Sequence, residues 1–200
     1  VVAALFLVFL NGFFVIYEFA IVKARKTKLE EIAKQKQPNA SLALKISNSL
    51  DTYLSATQLG VTLSSLALGW IGEPALARLI EAPMAQLVSD NTVLLHTISF
   101  TIAFTAITFL HVVFGEIIPK SIAIAKAETV ALAVAKPLYL FWWLFFPLVR
   151  FFDVMAGFFL KNIGLNQASE HELAHSEEEI RIIVNESFKG GFIDSVESEI

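Results

Sequence analysis

Residues 96–125 of this 200-residue chain read HTISFTIAFTAITFLHVVFGEIIPKSIAIA. The run up to Phe114 is mainly apolar, with scattered His, Ser and Thr and no Asp, Glu, Lys or Arg, and a helix needs about 20 mostly apolar residues to cross a bilayer. The sequence then changes character, because FGEIIPKS (114–121) adds a glycine, a glutamate, a proline and a lysine in close succession. Polar residues at membrane depth are costly, so they mark either the end of a span or a functional site.

The composition is typical of an integral membrane protein. Hydrophobic residues make up 56% of the chain and there are 18 Phe, whereas soluble domains are roughly 45–50% apolar. There is no cysteine, which excludes disulfides, thiolate metal sites and thiol chemistry. Basic residues cluster at 23–45 and acidic residues at 166–200. A basic cluster beside an apolar run indicates a cytosolic loop and argues against a nucleic-acid partner.

We predict an all-α integral membrane domain over residues 1–165. Three transmembrane helices are expected, at about residues 1–22, 52–71 and 93–118. The basic loop puts the N-terminus outside and the C-terminus in the cytosol. A fourth apolar run, about 129–160, contains Pro137 and Pro147. We predict Pro-broken juxtamembrane helices there, on the cytosolic side, with a plain fourth span as the alternative.

The segments outside the spans differ in charge. The 72–92 segment has no basic excess, which predicts an outside loop. Residues 166–200 are predicted to be an acidic cytosolic helical linker, with Ser176 and Glu179 as a capping pair at a helix start. A second helix start close to the end of the chain leads us to expect further cytosolic domains beyond it.

Each predicted span carries one polar stripe and is otherwise apolar. Taken singly, such residues are typical of close helix packing, with hydroxyl groups bonded to their own helix. In lipid, three stripes together should turn toward one another or toward water, which favours a polar pathway. We assign to this pathway Gln58, Gly60, Thr105, Thr108, Pro119 and Lys120.

The ending GEIIPK predicts a cation site. Pro119 has no amide hydrogen and clashes with the carbonyl of Gly115, which is therefore free to point elsewhere. The adjacent carboxylate of Glu116 and this carbonyl are hard ligands, suited to Mg²⁺, Na⁺ or Ca²⁺. The predicted metal ligands are Glu116, Gly115, Asn11, Ser64, Ser65 and Thr62. The alternatives are a Glu116–Lys120 pair that ends the span and an ordinary proline kink, while His111 is interpreted as a packed histidine.

At these motifs the sequence resembles the CNNM/CorC family of magnesium transporters. FGEIIPKS is similar to the signature that ends the third span of that family, and LNGFFVIYEFAIVKAR (10–25) resembles its first span. TQLGVTLSSLALG (57–69) resembles the second span, and EEEIRIIVNES with GGFID (177–194) resembles the segment that leads into paired CBS domains. The resemblance covers essentially the whole chain.

The resemblance implies a homodimer with three spans per protomer and an inward-open cation cavity. It also implies that Glu116 and the backbone near Gly115 are ligands, with Asn11 and the 60–65 stretch contributing. Many members have a serine where this chain has Val15, so the ligand set is expected to differ in detail. Nucleotide binding is implied only for CBS domains, which the chain lacks.

The expected function is Mg²⁺ export, with Mg²⁺ as substrate ion and Na⁺ as the coupling ion. The expected location is a bacterial inner membrane, in contact with lipid. One alternative is a membrane Mg²⁺ sensor that does not transport, and another is an interaction or membrane-damaging protein. An enzyme is not expected, because the spans contain no Ser-His-Asp arrangement, no phosphate loop and no paired carboxylates.

Overall fold

A computed structural model describes residues 1–85 and 92–164, together with Arg181, Val184 and Asn185. Residues 1–166 form one compact unit, and the second unit, 167–200, contains only those last three described residues, all helical. The predicted acidic linker therefore lies almost wholly outside the described residues.

The described part of the first unit is built from α-helices and two π-helical turns. The helices are α1 (Val2–Lys23), α2 (Lys26–Lys34), α3 (Ala40–Ser47), α4 (Leu50–Ala67), α5 (Glu73–Met84), α6 (Thr92–Leu110), α7 (Ile118–Ala125) and α8 (Ala127–Asn162). One π-helical turn, Leu68–Gly72, joins α4 to α5, and the other, His111–Ile117, joins α6 to α7.

Four helical runs are long and apolar enough to cross a membrane. They are Val2–Lys23, Leu50–Met84, Thr92–Ala125 and Ala127–Asn162, of 22, 35, 34 and 36 residues. The all-helical membrane fold is confirmed, and each of the three predicted spans falls within one run. The fourth run is the segment for which juxtamembrane helices are predicted.

Two predictions about the connecting segments are wrong. α8 is one helix that continues through Pro137 and Pro147. A proline removes one backbone hydrogen bond, and a long helix in apolar surroundings can continue past it. The expected loop at 72–92 is helical over Glu73–Met84, where Pro74 occupies the first turn that accepts proline. α5 packs on α6, and His96 Nδ1 lies 2.7 Å from Glu81 Oε1 between them.

α1 is the central helix. It contacts α4, α7, α8 and both π-helical turns. The larger core cluster surrounds its C-terminal end, beside the basic segment, and there small residues allow close helix approach. Its fully buried alanines are Ala20, Ala43, Ala123, Ala131 and Ala135. α8 packs on α3 and on the beginning of α4 at the same end of the unit.

Polar contacts attach the basic segment to α8. Arg25 Nε lies 3.4 Å from Glu128 Oε1. Asn39 takes a left-handed conformation, with φ of 65°, and its Nδ2 donates to the carbonyl of Leu132 at 3.0 Å. α3 is therefore held against the first turns of α8, and the residue that precedes α2 is tied to Glu128.

A single methyl group at Gly60 should destabilise the protein. A Cβ there would lie 2.5 Å from ring atoms of Phe14, and that ring is buried with its centroid 4.6 Å from the ring of Phe141. We expect Gly60→Ala to lower stability by roughly 1–3 kcal/mol, as overpacking does. The measurement is the thermal unfolding of the purified protein in detergent.

Gly69→Ala is the matched control, because a Cβ at Gly69 meets nothing within 4 Å. Equal unfolding temperatures for the two variants would contradict the prediction.

Candidate functional site

A polar cluster lies where α1, α4 and the second π-helical turn meet. It consists of Asn11, Ser64, Ser65, His111 and Gly115. The side chain of Asn11 is 2% exposed, so its amide needs partners within the protein. We refer to these five residues as the polar cluster.

The carbonyl of Gly115 is the acceptor at its centre. Pro119, four residues later, has no amide hydrogen to donate to it. Asn11 Nδ2 donates to this carbonyl instead, at 3.0 Å. A carbonyl can only accept, which fixes the orientation of the amide with Nδ2 toward Gly115 and Oδ1 toward α4. The hydrogen bond joins α1 to the third helical run.

Two glycines let the backbones approach for this contact. A Cβ at Gly115 would lie 3.0 Å from His111 Cδ2 and 3.3 Å from Asn11 Nδ2. A Cβ at Gly12 would lie 3.0 Å from Pro119 Cγ and 3.1 Å from the carbonyl oxygen of Phe114. Larger residues at either position would push α1 away from the π-helical turn.

Two serines of α4 complete the hydrogen bonding of Asn11. Ser64 Oγ lies 3.1 Å and Ser65 Oγ 3.0 Å from Asn11 Oδ1. Ser64 Oγ is also 2.7 Å from the carbonyl of Gly60. Ser65 Oγ is also 3.3 Å from His111 Nε2. Each hydroxyl has one proton, so when Ser65 donates to Asn11, His111 must donate from Nε2. The cluster thus satisfies itself with neutral groups.

Glu116 and Lys120 do not form an ion pair with each other, which was the alternative to a cation site at the end of this span. Both are exposed, and Lys120 Nζ lies 4.5 Å from the centroid of the Phe19 ring. Glu116 makes no hydrogen bond or ion pair with the described part of the chain. The described residues also contain no group of three or more His, Asp and Glu side chains that could hold a metal. Neutral oxygens would therefore have to supply most ligands.

The structure does not bring Thr62 into the cluster. It is exposed, and its hydroxyl donates to the carbonyl of Gln58 at 2.8 Å. Thr62 stands three residues before Ser65, a spacing that usually shares a helix face, but its hydroxyl bonds to its own helix and does not reach Asn11. Gln58 is also exposed, and Gly60 is packed against Phe14.

Thr105 and Thr108, which belong to the polar stripe of the third predicted span, also face away from the cluster. Thr105 and Thr108 are exposed, and the hydroxyl of Thr105 donates to the carbonyl of Thr101 at 2.8 Å. The buried face of α6 is formed by Ser99, Ala103 and Ile107. The π-helical turn lies between this stripe and Gly115, and its different rotation per residue turns Gly115 toward α1. A role of Thr105 and Thr108 in ion passage stays a prediction.

His111 is the cluster member that sequence reasoning set aside. It stands four residues before Gly115, and that helical spacing was the available signal. Its contact with Ser65 of α4 depends on the π-helical turn, which no residue pattern in this segment predicts.

Long apolar helices around a buried polar cluster define a polytopic helical membrane protein. The sequence matches the Cyclin M transmembrane N-terminal domain over residues 2–197, and the chain belongs to this CNNM family, which is associated with Mg²⁺ transport.

Several bacterial proteins are similar over almost the whole chain. UPF0053 protein YrkA of Bacillus subtilis is 45% identical over 191 residues, which cover 96% of this chain and 44% of that protein. UPF0053 protein YugS of the same organism is 40% identical, covering 98% and 46%. Protein Rv1841c of Mycobacterium tuberculosis is 35% identical, covering 98% and 56%. The chain thus spans about half the length of these relatives.

Replacing Asn11 should cost more than replacing either serine. Asn11→Leu keeps the branched shape of the side chain but leaves the buried Gly115 carbonyl without its donor, at a cost of roughly 1–3 kcal/mol. Ser65→Ala should cost less, because Ser64 Oγ still reaches Asn11 Oδ1. Thermal unfolding of the purified variants measures both effects.

Thr101→Ala serves as the control, because this exposed hydroxyl bonds only to the carbonyl of Thr97 in its own helix. If Asn11→Leu unfolds at the temperature of Thr101→Ala, the bond to Gly115 contributes no stability.

Proposed function

We propose that this chain is the membrane part of a Mg²⁺ transporter, with the ion bound at the polar cluster. One observation supports this most directly. A proline-freed carbonyl, an amide and two hydroxyl groups meet in a buried position, next in sequence to a carboxylate with no partner in the described part of the chain. Membership of a family associated with Mg²⁺ transport supports the choice of ion.

Ion binding requires a change at Asn11. With Nδ2 toward Gly115, the amide presents a hydrogen to the space that a cation would share with this carbonyl. A half-turn of the amide about its χ2 bond would direct Oδ1 toward the ion and Nδ2 toward the two serine oxygens, which can accept. The cluster can therefore satisfy its hydrogen bonds in both states. Mg²⁺ gives up water reluctantly, so it retains several waters in this site.

Glu116 supplies the negative charge in this proposal. Its side chain lies on the exposed face of the third helical run. An ionised carboxylate facing lipid is costly, so that face must meet water or another protein surface. We propose that a second copy of the chain covers it and leaves an aqueous cavity open to the cytosol. The position of this one charge supports the homodimer of the proposal.

Export requires an energy source. Moving charge against a membrane potential costs about 2.3 kcal/mol per elementary charge per 100 mV, and so about 4.6 kcal/mol for Mg²⁺. We propose that inward Na⁺ movement supplies this energy. The N-terminus lies outside and the basic segment in the cytosol of a bacterial cell.

Glu116→Gln should weaken Mg²⁺ binding by roughly 100-fold or more. In the proposed bound state the carboxylate turns to about 4 Å from the ion, where a unit charge contributes about 1 kcal/mol in water and about 4 kcal/mol at an effective dielectric constant near 20. Isothermal titration of the purified chain with Mg²⁺, and with Ca²⁺ and Na⁺ as competitors, measures this. Glu73→Gln is the matched control, since Glu73 begins α5 and is not part of the cluster.

Flux in vesicles then separates the candidate functions. A transporter loses Mg²⁺ flux in Glu116→Gln but not in Glu73→Gln, and an opposed Na⁺ gradient accelerates the wild-type flux. Binding without flux would replace the proposal with a membrane Mg²⁺ sensor. Equal binding by Glu116→Gln and the wild type would remove Glu116 from the site. Unselective leakage in all variants would identify a membrane-damaging protein.

A further inference from the structure

A cavity with both polar and apolar lining residues lies between the α3–α4 turn and the middle of α8, away from the polar cluster. Its volume is about 270 Å³, space for roughly nine waters at about 30 Å³ each. Its polar lining comes from Lys45, Ser49, Thr52, Arg150 and Asp153. The aromatic side chains of Trp142 and Phe146 form its apolar wall.

Several hydrogen-bond donors of this lining lack acceptors within the described residues, among them the buried Trp142 Nε1. Neither Lys45 nor Arg150 forms an ion pair within the described residues. Over the same residues, the hydroxyl groups of Ser49 and Thr52 make no hydrogen bond, and Ser49 does not cap α4. Two cationic groups and two hydroxyl groups around one cavity favour an anion with several oxygens.

The acidic member of the lining does not neutralise the two cations. Asp153 Oδ1 accepts from Ser55 Oγ at 2.8 Å, and Arg150 and Asp153 are not within ion-pair distance of each other. Lys45, Arg150 and Asp153 together leave a formal charge of +1. The acid therefore orients α4 against α8. Lys45 Nζ lies 5.4 Å from the centroid of the Tyr139 ring, and neither cation has an anionic partner within the described residues.

The apolar wall continues onto an exposed surface of α8. Leu140, Trp143 and Leu144 are each more than 60% exposed, and Phe146, which also lines the cavity, is 44% exposed. Tryptophan and basic residues at one level are typical of a membrane–water interface. An anion held in the cavity would thus lie beside a surface suited to hydrocarbon chains.

We propose that this cavity binds the phosphate group of an anionic phospholipid of the inner leaflet, whose acyl chains lie along α8. Lys45 and Arg150 contact the phosphate oxygens, and Ser49 and Thr52 donate the remaining hydrogen bonds. The chemistry shared with a soluble ligand is a phosphate ester, and the exposed apolar surface favours the lipid. The proposal is independent of ion transport, because no member of the polar cluster lines the cavity.

The test uses the full chain in dodecyl maltoside, titrated with phosphatidylglycerol, phosphatidylcholine or free glycerol phosphate. Tryptophan fluorescence reports binding, because Trp142 lines the cavity. We expect the wild type to prefer phosphatidylglycerol over phosphatidylcholine by at least ~10-fold, the scale of one charge-assisted hydrogen bond. Lys45→Gln and Arg150→Gln should each weaken this binding by a similar factor, and the double variant should abolish the preference.

Two further variants keep the result interpretable. Lys161→Gln removes a basic residue of α8 that does not line the cavity, and it should bind as the wild type does. Lys45→Arg keeps the charge and should retain the preference, which distinguishes lost binding from lost folding. An undiminished preference in the double variant overturns the proposal. Glycerol phosphate binding as tightly as phosphatidylglycerol also overturns it, in favour of a soluble phosphate ester.

Discussion

A backbone carbonyl inside a membrane helix must find a donor, because lipid supplies none. In a regular helix the amide hydrogen of residue 119 would bond to the carbonyl of Gly115, but Pro119 has none. The side-chain amide of Asn11, on the neighbouring helix α1, donates to this carbonyl instead. That replacement needs α1 within hydrogen-bonding distance, and Gly12 and Gly115 supply the necessary space. One missing amide hydrogen thus explains the polar contact by which α1 approaches the third helical run at this point.

The two ends of the unit are packed by different kinds of side chain. Beside the basic segment, alanines on α1, α3, α7 and α8 bring the helices close together. At the opposite end, Val8, Leu68 and Ile107 form a smaller cluster of branched side chains. The polar cluster lies between them, so its hydrogen bonds are enclosed by apolar packing from both directions. This enclosure gives neutral hydrogen bonds their strength in a low-dielectric interior.

The sequence predicted the all-helical membrane fold well, since apolar runs of sufficient length leave few alternatives. It also named Asn11, Ser64, Ser65 and Gly115, because a rare polar residue in an apolar helix must meet another. It assigned Thr62 because its spacing from Gln58 and Ser65 puts the three residues on one helical face, but Thr62 is exposed and its hydroxyl bonds within α4. It expected breaks at the prolines of α8, although that helix continues through both, because each proline removes only one backbone hydrogen bond.

The π-helical turn at His111–Ile117 interrupts the α-helical periodicity of the third helical run. Before the turn, threonines and phenylalanines of α6 face outward, and within it Gly115 faces α1. In a regular α-helix both faces would follow the same number of residues per turn. A shift of the outward-facing pattern in α6 would then also change the direction in which Gly115 points. Here the surface of α6 can diverge to suit bilayers of another thickness or lipid content, while the residues around Asn11 keep their geometry.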